Sequence, residues 1–128
     1  MKKLMNKKGF TLMEMLIVVA IIVILVAVSI PTFTAQLDNA KTATDDANLR
    51  AAKAVALNNS MLDGWGDLLK DATGDVTLYY DVDAGEFVAE SKKASDADKG
   101  QSSTHSSHYL KVVITKDGDI KTAVEWAE

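Results

Sequence analysis

The feature that most constrains this chain is an apolar run close to its N-terminus. Among the 21 residues from Phe10 to Ile30, only Thr11, Glu14 and Ser29 are polar. As an α-helix this run extends for about 30 Å, which is the thickness of the hydrocarbon core of a bilayer. Residues 10–30 are therefore predicted to form a transmembrane helix.

The charges around the apolar run predict its orientation and exclude some functions. Lys2, Lys3, Lys7 and Lys8 precede it, and a basic N-terminal flank usually stays in the cytoplasm. The whole chain has a net charge of −4, and without residues 1–9 it has 10 basic and 18 acidic residues, a net charge of −8. Direct binding to nucleic acid is not expected, because phosphate contacts need clustered lysine and arginine. The absence of cysteine excludes disulfides, thiol catalysis and thiolate metal sites.

The segment after the apolar run has the spacing of an amphipathic helix. The predicted apolar stripe recurs at steps of three and four residues and consists of Phe33, Leu37, Ala40, Ala47, Ala51, Ala54, Val55 and Met61. Charged side chains occupy much of the rest, namely those of Asp38, Lys41, Asp45, Asp46, Arg50 and Lys53. Alanine in the stripe permits close approach of a sheet or another helix. Gly64-Trp65-Gly66 is predicted to end the helix, and Asp67–Ala72 is a candidate extra turn.

The C-terminal half has the pattern of two β-hairpins. Val76–Val82 and Glu86–Glu90 flank a turn that contains glycine. His108–Thr115 and Ile120–Trp126 flank a second turn with an Asp-Gly pair, which suits tight turns. Ser91–Ser107, which lies between the hairpins, is rich in Ser, Asp, Lys and Ala and is predicted to be a solvated loop. The predicted fold is α+β: a long N-terminal helix, with a membrane-spanning and an amphipathic half, packed on a small antiparallel β-sheet of about four strands.

The order of glycine and apolar run differs from that of an ordinary secretory signal, in which the apolar segment precedes the cleavage site. Here the plausible small-residue site, Gly9, comes first, so cleavage there would leave the apolar helix on the mature protein. Glu14 is the second unusual feature. A carboxylate within hydrocarbon costs on the order of 2.5–3.5 kcal/mol on insertion scales, so a functional partner is expected for it.

The string Lys7-Lys8-Gly9-Phe10-Thr11-Leu12-Met13-Glu14-Met15-Leu16 resembles the class III signal of type IV pilins and type II secretion pseudopilins. The resemblance implies that a membrane aspartyl peptidase, the prepilin peptidase, cuts after Gly9 and methylates the new N-terminal amine of Phe10. It also implies that Glu14, as the fifth mature residue, acts in assembly. Pro31 matches the proline that bends the helix in this family.

The resemblance further implies the division of the chain and its role. Residues 1–9 would be the leader removed on maturation, 10–30 the transmembrane and filament-core helix, 31–63 its amphipathic continuation, and 64–128 the β-sheet head. The protein would be a structural subunit of a bacterial type IV pilus serving adhesion, motility or colonisation, and would form a homo-oligomeric helical filament. Its partners would be the prepilin peptidase and an inner-membrane assembly platform with its ATPase. The precursor would cross the inner membrane once, and the mature subunit would lie in the surface pilus.

Two other functions remain open. The chain could be a pseudopilin of a type II secretion or competence DNA-uptake system, which forms a shorter filament. It could also be a membrane-tethered binding module with an uncleaved anchor. An enzyme is not expected, because no Ser/His/Asp set, phosphate-binding loop or redox motif can be assembled from the residue order. No cofactor is expected either.

The residues of the N-terminal region also have simpler interpretations. Glu14 could lie at the level of the lipid headgroups without a partner. Pro31 could end the membrane helix instead of bending it, since proline removes the hydrogen bond to the carbonyl of Ala27 and clashes with it. The amphipathic pattern beyond Pro31 favours a kink.

Two weaker site candidates lie in the head. Asp81, Asp83 and Glu86 surround a glycine turn and could hold calcium, but they lack the full spacing of a calcium loop, and a solvated hairpin is favoured. His105 and His108 are three residues apart in a serine-rich stretch. Without a third ligand they are predicted to be surface residues and not a zinc pair.

The two tryptophans, Trp65 and Trp126, could be exposed adhesive aromatics. Packing between the end of the helix and the sheet is the favoured interpretation for both.

Overall fold

A computed structural model describes residue 9, residues 11–89 and residues 98–128 of the chain. Its elements are α1 (Leu12–Met61), α2 (Gly66–Leu69), β1 (Val76–Asp81), β2 (Glu86–Ala89), β3 (Tyr109–Ile114) and β4 (Ile120–Ala127). The chain divides into two compact units between Leu37 and Asp38, and each unit is described by itself.

The first unit contains the N-terminal half of α1, whose apolar side chains are exposed on all sides. From Leu12 to Leu37, the exposed fractions of the large apolar side chains lie between 40% and 79%. The most apolar window of 18 residues has a mean hydropathy of 3.0 and no buried residues, so α1 is long and apolar enough to cross a membrane. Pro31 lies inside α1, so the interpretation that the helix ends there is wrong. The kink remains a prediction.

The second unit contains the sheet, in which the two predicted hairpins lie side by side. The strand order is β2-β1-β3-β4, and every neighbouring pair is antiparallel. In β1, Leu78 is opposite Val112 of β3, and Tyr80 is opposite Phe87 of β2. The long helix, the four strands and the α+β class are therefore confirmed, with strand ends within one residue of the predicted ones.

The core of the second unit lies between one face of the sheet and the C-terminal half of α1. It comprises Ala52, Ala56, Trp65, Leu78, Tyr80, Phe87, Leu110, Val112, Ile114 and Val124. In β3, burial alternates strictly along the strand, as expected for a sheet with one buried face. Each fully buried Leu, Ile or Val stabilises the folded head by about 1.5–3 kcal/mol relative to its exposed state.

The predicted apolar stripe of the second half of α1 is wrong by about one residue. The buried face contains Asp45, Ala52 and Ala56, with Leu49 and Val55 partly buried beside them. Several members of the predicted stripe are exposed instead, namely Phe33, Ala47, Ala51, Ala54 and Met61. Alanine occupies positions on both faces, so hydropathy alone does not distinguish them, and a charged residue sits on the buried face.

Trp65 closes the end of α1 against the β3–β4 turn, which confirms the predicted packing of this residue. Its side chain is 1% exposed, and its Nε1 donates a hydrogen bond of 3.0 Å to the carbonyl oxygen of Gly118. Ser60 Oγ donates to the same oxygen at 3.1 Å. Gly118 has a φ of 91°, and a Cβ there would lie 3.2 Å from Trp65 Cδ1, so glycine suits both the turn and the contact.

The second unit is expected to fold without the membrane segment. A fragment that starts at residue 36 keeps the helix face that covers the sheet, so it should be a soluble monomer with helix and strand by circular dichroism. A fragment that starts at residue 66 loses Ala52, Ala56 and Trp65 from the core and should aggregate, because the apolar face of the sheet becomes exposed. Size-exclusion chromatography of both fragments checks this, and a soluble folded monomer from the shorter one would refute the helix-on-sheet packing.

Candidate functional site

Glu14 lies in the first turn of α1, where it forms a capping box with Thr11. The backbone N–H of Thr11 donates to Glu14 Oε2 at 2.8 Å, and the backbone N–H of Glu14 donates to Thr11 Oγ1 at 3.2 Å. The two side chains thus satisfy two N–H groups at the start of the helix, and the carboxylate lies at the positive end of the helix dipole. This role was not predicted from the sequence, although Thr11-x-x-Glu14 before an apolar run is a recognisable signal for a capping box.

The capping box involves only one of the two carboxylate oxygens of Glu14. Within the part of the chain that the structure describes, no hydrogen bond is formed to Oε1. The other hydroxyl group of the apolar run needs no external partner, since Ser29 Oγ donates to the carbonyl oxygen of Leu25 at 2.7 Å. Glu14 is therefore a side chain of this segment that keeps a carboxylate oxygen available as an acceptor for another molecule.

Gly9, the predicted cleavage residue, is exposed and precedes α1. A Cβ at this position would meet nothing within 4 Å, and its φ does not lie in the left-handed region. The fold of the described residues therefore does not demand glycine here. Phe10, the predicted site of methylation, lies outside the described residues.

The carboxylates of the β1–β2 turn serve the backbone of the turn itself. Asp81 Oδ1 accepts a hydrogen bond from the N–H of Ala84 at 2.9 Å, and Gly85, with a φ of 72°, donates its N–H to the carbonyl oxygen of Asp81 at 2.8 Å. Among residues 9, 11–89 and 98–128, no group of three or more His, Asp or Glu side chains could hold a metal ion. The calcium candidate formed by Asp81, Asp83 and Glu86 therefore gains no support from this geometry.

His105 lies next to Ser102 and Asp45, two contacts that were not predicted from the sequence. Its Nδ1 lies 3.2 Å from Ser102 Oγ and 3.4 Å from Asp45 Oδ2, and its ring stacks on Trp126 at 5.0 Å between centroids. Ser, His and Asp are the residue types of a hydrolytic triad, but both contacts are made to the same ring nitrogen. In a hydrolytic triad the serine contacts one ring nitrogen and the aspartate contacts the other, so this arrangement does not have the geometry of a triad.

Asp45 is the centre of this cluster and is completely buried. Its Oδ1 accepts the N–H of Gln101 at 2.6 Å, and its Oδ2 accepts the N–H of Ser102 at 2.9 Å. Burial by itself raises the pKa of the Asp45 carboxyl, but the hydrogen bonds from Ser102, Gln101 and His105 outweigh burial and lower the pKa below its ordinary value of 3.8. The carboxylate is therefore charged in the folded protein at neutral pH.

Two other carboxylates receive backbone N–H groups in the same region. Asp38 accepts the N–H of Ser103 at 3.1 Å, and Asp98, which is 2% exposed, accepts the N–H of Val82 at 2.9 Å. The prediction of a solvated loop is thus wrong for residues 98–107, which dock on α1 and the β1–β2 turn. The reason is that aspartate side chains replace water as acceptors for the loop backbone.

A signal for Asp45 exists in the sequence. Asp45, Leu49, Ala52 and Ala56 are spaced four, three and four residues apart, so Asp45 continues the buried face of α1 towards the N-terminus. An acidic residue in register with a buried stripe indicates a carboxylate that binds backbone groups.

Comparison with known proteins identifies the N-terminal segment. The family model described as "Prokaryotic N-terminal methylation motif" matches residues 4–30. The chain carries this methylation motif. It is also similar to the Type IV narrow pilus major component PilA5 of Thermus thermophilus, with 47% identity over 55 residues. That alignment covers 41% of this chain and 47% of the relative, so the chain spans about half of the relative's length.

These matches confirm the resemblance to type IV pilins that the sequence indicated. No solved structure shows a significant match to the chain. The roles of Gly9, Phe10, Glu14 and Pro31 remain predictions, although all but Pro31 fall inside the matched residues.

The lowered pKa of Asp45 predicts how the stability of the head depends on pH. A carboxyl whose pKa is lower in the folded state stabilises the fold above 3.8, and this contribution is lost as the pH falls through the lowered pKa. In the fragment that starts at residue 36, Asp45→Asn should reduce the free energy of unfolding at pH 7, and the difference from wild type should shrink as the pH falls below 3.8. Urea unfolding across this pH range measures it. Asp46→Asn, which changes an exposed neighbour, is the control, and a difference that does not depend on pH would contradict the assignment.

Proposed function

We propose that this chain is the structural subunit, or pilin, of a bacterial type IV pilus. The observation that carries the proposal is the coincidence of the methylation motif at residues 4–30 with a helix whose apolar side chains are exposed all round. Such a helix is stable only in lipid or among other apolar helices. The similarity to a pilus major component agrees with this proposal. The helix would lie in lipid while the subunit is a membrane-anchored precursor, and it would lie among other helices once the subunit is in the filament.

Helix packing is the proposed mechanism of assembly. When the helix leaves the bilayer, contacts of its apolar side chains with lipid are replaced by contacts with neighbouring subunits. Lipid is as apolar as these side chains, so close packing and specific polar pairs must supply much of the preference for the filament. Since Ser29 is bonded within its own helix, Glu14 is the proposed source of polar specificity.

Glu14 is proposed to pair with the N-terminal amine of Phe10 of a neighbouring subunit. Cleavage after Gly9 creates this ammonium group in an apolar environment, where an unpaired charge is costly. The capping box holds Glu14 through Oε2 and leaves Oε1 to accept the amine. A pair of this kind sets the axial register between subunits, which apolar contacts alone do not specify.

The partners follow from the same proposal. The prepilin peptidase is proposed to cut after Gly9 and methylate Phe10, and the exposure of Gly9 supports access to this bond. An inner-membrane platform with an ATPase would extract the subunit from the membrane, where the precursor would be a single-pass protein. In this proposal the role is structural and not catalytic, and the filament serves adhesion, twitching motility or colonisation.

A pseudopilin is the second candidate, because pseudopilins share the class III signal. The name of the similar Thermus protein, a pilus major component, favours the pilus. Electron microscopy of material sheared from cells separates the two functions, since a pilus extends from the cell surface.

Replacing Gly9 tests the cleavage site. Gly9→Val should leave an uncut membrane-bound precursor, because the added side chain keeps the scissile bond away from the peptidase active site. Gly74→Val is the control, since Gly74 is also exposed and a Cβ there also meets nothing within 4 Å. Mass spectrometry of the N-terminus reads the result, and wild-type protein should begin with methylated Phe10. Normal cleavage after residue 9 in Gly9→Val would show that the assignment is wrong.

Replacing Glu14 tests its proposed role in setting the axial register between subunits. Glu14→Ala, expressed without wild-type subunit, should be inserted and cleaved but should not polymerise, and Glu14→Gln should also be impaired because it loses the charge. Ser29→Ala is the matched control, since the Ser29 hydroxyl is bonded within its own helix and the variant should polymerise. Sheared filaments are counted by microscopy, with immunoblots to confirm equal amounts of mature protein. Abundant normal filaments from Glu14→Ala would overturn the register role, and loss of the mature band would place Glu14 in processing.

A further inference from the structure

The second unit contains a further structural feature, and its role does not depend on the proposed filament. We propose that the buried carboxylate of Asp45 is a latch that holds residues 100–108, the latch loop, on α1, and that the latch loop opens as a unit while the sheet stays folded. The proposal depends on contacts within the second unit, and it stands whether or not the chain polymerises.

The first observation is how the carboxylate engages the loop. Its two oxygens accept two successive backbone N–H groups, Gln101 at Oδ1 and Ser102 at Oδ2, and Asp45 is 0% exposed. Hydrogen bonds to a charged acceptor are stronger than those between neutral groups. A second carboxylate, Asp38, accepts hydrogen bonds from the N–H and Oγ of Ser103 at 3.1 and 3.3 Å, but Asp38 is only partly buried and these hydrogen bonds are exposed, so water competes with them.

The second observation is that the latch loop is closed on itself. Gly100 N–H donates to the carbonyl oxygen of His108 at 3.1 Å, His105 N–H to that of Ser102 at 3.2 Å, and His108 N–H to that of His105 at 2.9 Å. A Cβ on Gly100 would lie 2.2 Å from His105 Cβ, so this close approach requires glycine. These bonds do not depend on α1, so the loop can leave the helix without losing its own shape.

The third observation is that the latch loop contributes nothing to the apolar core. No residue between 100 and 108 belongs to the core cluster or to the hydrophobic side chains packed against it. Its contact with a core-flanking side chain is the stacking of His105 on Trp126. Asp98, which holds the N–H of Val82, lies before the loop, and β3 begins directly after it. Opening therefore breaks polar contacts and leaves both ends of the loop anchored, which is the pattern of a local unfolding unit.

The conservative variant Asp45→Asn tests the latch at nearly constant shape. An amide offers one acceptor oxygen and a donor NH₂ group in place of the second oxygen. Because Gln101 and Ser102 each donate to a different oxygen, one of their N–H groups would face another donor. The substitution therefore breaks the latch without creating a cavity.

Hydrogen exchange of the full chain in detergent micelles, followed by mass spectrometry, measures loop opening. In Asp45→Asn, exchange of the amides of residues 100–108 should rise about tenfold or more, as expected from losing a charge-assisted hydrogen bond, and should stay faster than exchange of the β1 and β3 amides, which rises only because the free energy of unfolding is lower. Asp46→Asn is the control, because Asp46 is an exposed carboxylate on the neighbouring position of α1. The proposal is overturned by unchanged exchange in the loop, or by loop amides that exchange no faster than the β1 and β3 amides, because the loop would then have no opening of its own.

The wild-type chain gives a second test that does not rely on a variant. At low concentrations of denaturant, the amides of the latch loop should exchange through a local opening. The free energy of this opening should depend less on denaturant concentration than the free energy of opening of the β3 amides, because local opening exposes less surface. The same denaturant dependence for Gln101, Ser102 and the β3 amides would show that the loop opens only by global unfolding, and would overturn the proposal.

Discussion

The rest of this structure depends on one constraint, which is that the large apolar side chains in the N-terminal half of α1 are exposed within the first unit. The second unit fills its core with residues from Ala52 to Val124, and the large apolar side chains of the first unit are exposed. Apolar surface in water costs about 25 cal/mol per Å², so a helix of this kind requires lipid or other helices. The same α1 therefore has two tasks: one half meets an external apolar environment, and the other half covers a sheet.

The second task is carried out by small side chains and buried carboxylates. Ala52 and Ala56 let the helix approach the sheet closely, and Trp65 fills the space at the end of the helix. Without cysteine, the loops need another connection to the helix and the strands. Asp45 and Asp98 provide it by accepting backbone N–H groups. A buried carboxylate carries a desolvation penalty, so each of these links stabilises the head only because hydrogen-bond donors offset that penalty.

The sequence predicted the elements whose patterns have a single interpretation. The apolar run, the strand alternation of Tyr109–Ile114 and the Asp-Gly turn each indicate one local structure, and all are present. The face of α1 was predicted wrongly because Ala51 and Ala52 have the same hydropathy, and only the sheet decides which of them is buried. The docked loop was missed because serine and aspartate normally indicate solvent, and tertiary hydrogen bonds reverse this expectation for Asp45.

Glu14 illustrates how a carboxylate in an apolar segment can be stabilised within its own helix and still keep one oxygen free for the proposed subunit contact. A carboxylate at the third position of a helix reaches back to the first free N–H groups, and here it accepts that of Thr11. The hydrogen bond and the helix dipole stabilise the charge within the isolated subunit, so the insertion cost of the carboxylate is partly offset before any neighbour arrives. A partner that binds Oε1 then needs to add only a modest free energy. It follows that Glu14 contributes more to the specificity of the proposed subunit contact than to its strength, and that the apolar surface of α1 supplies the strength.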